Sequence, residues 1–127
     1  EEFAQCVAHQ TDKIVFITDR EKVIAAAGDG LKGIVGKEIS HSLERILDDR
    51  DESLPLAERS RFIPVVEGMG GADEMKKIEQ VRQMIRSNGQ IIGSIIIQSK
   101  DPKYKVGEFE KKVAMVAAEF LGKQITI

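Results

Sequence analysis

Residues 78–99 read IEQVRQMIRSNGQIIGSIIIQS, two β-rich runs joined by Asn88-Gly89. Both residues of that pair tolerate positive φ, so the spacing predicts an antiparallel hairpin closed by a two-residue turn. In the second arm, only Gly93 and Ser94 interrupt the isoleucines between Ile91 and Ile97. A run this apolar predicts an interior strand covered on both faces. The two-residue register puts Arg82, Met84, Arg86, Ile91, Gly93, Ile95 and Ile97 on one face. Val81, Gln83, Ile85, Ile92, Ser94 and Ile96 take the other.

Outward from the hairpin, residues 108–124 carry the clearest helical pattern. Phe109, Val113, Val116 and Phe120 recur at four-three-four spacing, and Ala114, Ala117, Ala118 and Leu121 widen the apolar arc. That arc exceeds the stripe of a one-sided surface helix. One edge is expected on the sheet, where Gly93 would let the helix approach closely. The alanine-rich edge is expected to meet another helix. Two partners fit: the N-terminal helix of the same chain, or a second copy of this helix.

Upstream, residues 1–10 place Phe3, Val7, Ala4 and Ala8 at helical spacing. Residues 13–18 (KIVFIT) and 22–27 (KVIAAA) read as a second hairpin across Asp19-Arg20-Glu21. Four glycines make residues 28–37 a loop, and Ser40 is a candidate N-cap for a short helix ending near Arg50. Residues 61–66 (RFIPVV) read as a strand, at an edge because Pro64 donates no amide hydrogen. The sum is a single α+β domain with an antiparallel sheet of five to six strands, terminal helices on one face and a short helix with loops on the other.

Composition narrows function. The 127 residues carry 19 basic and 21 acidic side chains, intermixed, so no electrostatic footprint for nucleic acid or anionic lipid appears. No apolar run approaches the roughly 20 residues that span a bilayer, so no membrane partner is expected. Cys6, the single cysteine, forms no internal disulfide and suits a reducing cytoplasm. The chain opens on Glu1, which suggests a piece of a longer protein.

This order of elements resembles a GAF domain, a sheet that senses small molecules between flanking helices. The runs VIAAAG (23–28), GKEIS (36–40), LERIL (43–47), NGQIIGSIIIQSKD (88–101), GEFEKK (107–112) and AAEFLGKQ (117–124) narrow the likeness. They resemble the C-terminal regulatory domain of the stage V sporulation protein T family of bacterial transcription regulators. The resemblance implies an AbrB-type swapped-hairpin DNA-binding domain ahead of this chain. It also implies dimers through the terminal helices, at Phe3, Val7, Phe109, Val113, Ala114, Ala117, Ala118 and Leu121. Pairing of the DNA-binding domains would then give a tetramer. It names no ligand, and a GAF domain of another signalling protein stays open as an alternative.

Catalytic chemistry finds little support. His9 and His41 lie in no ligand-spaced set, and the acidic run 48–52 lacks the glycine and terminal glutamate of a calcium loop. GDGLKG (28–33) lacks the Ser or Thr after lysine that a P-loop needs. GAF-like methionine sulfoxide reductases cycle through more than one cysteine. No enzyme activity, metal or cofactor is therefore expected. A cavity between sheet and middle helix remains, with Gln83 and Ser94 amid isoleucines, joined by Phe16, Ala25, Ile46 and Arg50. Arg61 and Arg82 are the guanidinium groups to test for an anionic small molecule. The alternative is a filled core, Ser94 bonded to its neighbours, in a purely structural oligomerisation domain.

Overall fold

A computed structural model of the chain describes residues 2–28, 33–48, 62–67, 78–101 and 103–124. In chain order these hold α1 (Glu2–Thr11), β1 (Ile14–Thr18), β2 (Val23–Ala27), α2 (His41–Asp48), β3 (Gln80–Ser87), β4 (Gln90–Gln98) and α3 (Glu108–Gln124). The strands form one antiparallel sheet in the order β2-β1-β4-β3. The apolar β4 is interior, as its composition predicts.

Local chemistry sets the boundaries. Asn88 and Gly89 have φ of 52° and 80°, the left-handed pair of a type I′ turn. The Asp19 carboxylate accepts the Glu21 and Lys22 amides at 2.7 Å each, turning β1 into β2. Ser40 caps α2: its Oγ accepts the Leu43 amide at 3.1 Å and donates to the Pro64 carbonyl at 2.6 Å. Gly107 starts α3, and its amide donates to the Glu110 carboxylate at 2.6 Å, half of a capping box.

Each face of the sheet has its own core. On one, α1 and α3 bury Ala4, Val7, Ala114, Ala117 and Ala118 against Val15, Ile17, Ala25, Ile85, Ile95 and Ile97. On the other, Leu43 and Leu47 of α2 join Ile34, Ile39, Val65 and Val66 over Phe16, Val23 and Ile96. The expected placement of helices on the two faces holds.

Four expectations need correction. Residues 62–66 form no strand, so the described sheet has four strands. The Gln80 side chain takes the place of a neighbouring strand: its Oε1 accepts the Ile63 amide at 3.2 Å, and its Nε2 donates to the Ile63 carbonyl at 2.9 Å. Pro64 next to it cannot extend a ladder.

The hairpin register slips. Arg86 pairs with Ile91 but Ile85 pairs with Gly93, leaving Ile92 as a bulged extra residue. Beyond the bulge every β3 assignment inverts. Val81, Gln83 and Ile85 lie on the face of α1 and α3, whereas Arg82 and Met84 share the face of Ser94 and Ile96.

Helix α3 is turned the opposite way from expectation. Its alanine edge packs on the sheet, while Phe109, Val116 and Phe120 are 56%, 69% and 47% exposed. Small side chains let a helix axis lie close over a strand, and Gly122 takes this furthest. A Cβ there would overlap the Arg86 carbonyl oxygen. Gly93, finally, makes room for β1 rather than for a helix: its Cβ would overlap the Thr18 carbonyl oxygen.

Candidate functional site

The α2 side of the sheet is built from alternation. Phe16 stands opposite Ile96, and Thr18 opposite Ser94, on adjacent central strands. All four side chains are buried. Hydroxyls at Thr18 and Ser94 meet at 2.7 Å, so the polar pair satisfies itself within an apolar layer. Leu43 and Leu47 descend onto this layer, with Ile46 half-buried beside them. Among the described residues, the space beneath Ser94 is thus packed by side chains.

Of the candidate lining residues, the fold brings together Phe16, Ser94 and the helix bearing Ile46. It separates Ala25 and Gln83, both of which face the terminal helices. Ala25 is opposite Ile17, and Ala26 is the alanine that faces Phe16's side. Arg50 and Arg61 lie outside the described residues. Arg82 is the guanidinium on the α2 side. It donates to Gln80 Oε1 at 2.6 Å, and burial pushes its pKa down to about 10, still protonated at neutral pH. Placing Arg82 on this side from sequence would have required seeing the bulge at Ile92.

Gln80 is buried and fully engaged, with Ile63, Arg82 and the Gln98 side chain at 3.0 Å as partners. That network anchors residues 62–66 over the layer. No nucleophile and base come together in it. Cys6, His9 and His41 are all exposed, and no group of three His, Cys, Asp or Glu could hold a metal among the described residues. Among the described residues, the arrangement is a packed and hydrogen-bonded scaffold.

The helical side presents a second candidate surface. Phe3 of α1 stacks on Phe120 of α3, ring centroids 5.4 Å apart and planes 12° from parallel. Phe109 and Val116 continue an apolar ridge along α3, flanked by half-buried Val113 and Leu121. Val7, Ala114, Ala117 and Ala118 are buried beneath the ridge in the single chain. Of the eight residues expected at an interface, Phe109 is exposed, Phe3, Val113 and Leu121 are half-buried and the other four are buried in the single chain.

Known proteins agree with this chain over almost its full length. A family model described as stage V sporulation protein T C-terminal, transcription factor, matches residues 1–126. Stage V sporulation protein T of Bacillus subtilis (strain 168) is 34% identical over 124 residues, covering 98% of this chain. The chain spans 65% of that relative's length. No helix among the described residues is long and apolar enough to cross a membrane. By sequence, this chain belongs to the stage V sporulation protein T C-terminal family, a domain family of sporulation transcription factors.

Proposed function

We propose that this chain is the regulatory and self-association domain of a sporulation transcription factor, with a GAF-like sheet that pairs two copies through their terminal helices. DNA is contacted by an AbrB-type domain joined ahead of α1. The domain itself is no enzyme and reads no bases. One observation carries the reading: the apolar ridge of Phe109, Val116 and Phe120, buttressed by Phe3, is turned to water in the single chain. A ridge of large apolar side chains on a helix gains free energy by being covered. A two-fold axis placed across it covers the ridge of each copy with that of the other, an isologous contact.

The relative is a named sporulation protein from a family of transcription factors, which supports the regulatory half. Regulation is assigned to an anionic small molecule at the Arg82 guanidinium on the α2 side, beside and not within the packed layer of Phe16 and Ser94. Binding there tilts α2 against the sheet. Movement of α1 passes the change to the DNA-binding domain. Such control requires that the ligand prefer one of two states.

Sedimentation of the chain tests self-association. The expected result is a dimer that Val116→Asp converts to a monomer while the helical and strand signals persist. Ala117→Asp, pointing into the core, should instead unfold the protein. A monomeric wild-type chain at high concentration, or a Val116→Asp chain that remains dimeric, would remove the interface.

A further inference from the structure

A groove of about 740 Å³ runs along the other flank of α3, between that helix and the end of β3. Met115 and Ala118 supply its apolar floor, and Gln83, Ser87 and Asn88 come from the hairpin arm and turn. Charge there departs from the rest of the chain. The charged lining is Arg86, Lys112, Lys123 and Glu119, net +2, while the whole chain is −2. Glu119 pairs with Lys123 at 3.5 Å, both about three-quarters exposed, a contact of the kind that exchanges partners readily. Among the described residues β3 is the last strand of the sheet, laddered to β4.

We propose that this groove docks an extended acidic segment of a partner protein, laid along β3 with carboxylates and apolar residues on the side facing α3. An edge strand recognises an extended chain through its backbone, and pockets at alternate positions supply selectivity. Along α3 the occupant meets Lys112, then Met115 one turn later, then Lys123 two turns beyond. Those gaps, about 5 Å and about 12 Å, match roughly two and four residues of an extended chain, so the order selects an acid, an apolar residue two positions on and a second acid four positions beyond it. Val116 lines both this groove and the ridge of Phe109 and Phe120, so a docked segment and a second copy share that side chain, and self-association is read separately by sedimentation.

The test is an amide-shift titration of the isotopically labelled chain with a nine-residue peptide carrying Glu at its first and seventh positions, Val at its third and Ser elsewhere, and with its counterpart bearing Lys in place of Glu. The acidic peptide should move the amides of residues 83–88 and 112–123, and the response should fall as salt is raised. The basic peptide should leave them unmoved. In the double variant Lys112→Glu, Lys123→Glu the preference should reverse, an outcome that misfolding cannot imitate. Absent shifts, shifts confined to the Phe109–Phe120 ridge, an equal response to both peptides or an unreversed preference would each overturn the assignment. A dimer seen by sedimentation in any of these cases would leave the self-association reading standing.

Discussion

Gly122 sits in the last turn of a helix, where alanine ordinarily improves stability by about 1 kcal/mol. Here the opposite is expected, because the added methyl would overlap the Arg86 carbonyl, a backbone atom that cannot swing aside. Gly122→Ala should destabilise the fold by about 1–3 kcal/mol, the usual cost of overpacking, as read by urea denaturation. An increase in stability would show that α3 stands further from β3 than its contacts indicate. Gly93 carries the same constraint against the Thr18 carbonyl. The residue that looked like a notch for a helix is a notch for a strand. Gly89 differs in kind: a Cβ there meets open space, and only its φ of 80° favours glycine.

The connector into α3 is held by one carboxylate. Glu79 accepts the Val106 amide at 2.8 Å and pairs with Lys105 at 3.2 Å. The Val106 bond chiefly lowers its pKa below 4.5; partial burial opposes the shift and Lys105 adds to it. A depressed carboxylate pKa means that the unfolded chain binds the proton first. The stabilisation is therefore complete above pH 4.5 and is lost as pH falls through the lowered folded value. Denaturation profiles of wild type and Glu79→Gln should diverge above pH 5 and converge near pH 3. Profiles that stay parallel would mean the carboxylate's charge does not matter there.

Elements of this kind were legible to different degrees. Asn88-Gly89 announced its hairpin and Ser40 its helix, because turn and cap chemistry are local. The bulge at Ile92 was not legible, since an isoleucine-rich arm has no polar alternation to fix its register. The orientation of α3 was hidden for a related reason. Its alanines and phenylalanines are all apolar, and only the nearness of β3 decides that the small ones go inward. For the candidate site, Phe16 and Ser94 were readable as partners on one face. Ala25 and Gln83 were not, their parity depending on pairings far along the chain.

One four-stranded sheet divides two cores, so the α2 side and the helical side share strands, β1, β2 and β4 among them, but no helix. A ligand taken up near Arg82 and a partner bound at the ridge would act through the same strands from opposite sides. Adding anionic metabolites should raise the melting temperature of the chain, and Arg82→Met should abolish the rise while Val116→Asp leaves it intact. A flat response across the panel would favour a domain that only assembles. The stack of Phe3 on Phe120 carries a separate consequence. Synthesis delivers α1 to the ribosome exit first and α3 last, yet each completes its packing only against the other. The earliest helix must wait, its ring uncovered, until nearly all of the domain has been made. Folding during translation would then close in one late step, and a ribosome stalled before α3 emerges would hold a chain with its sheet open on one side.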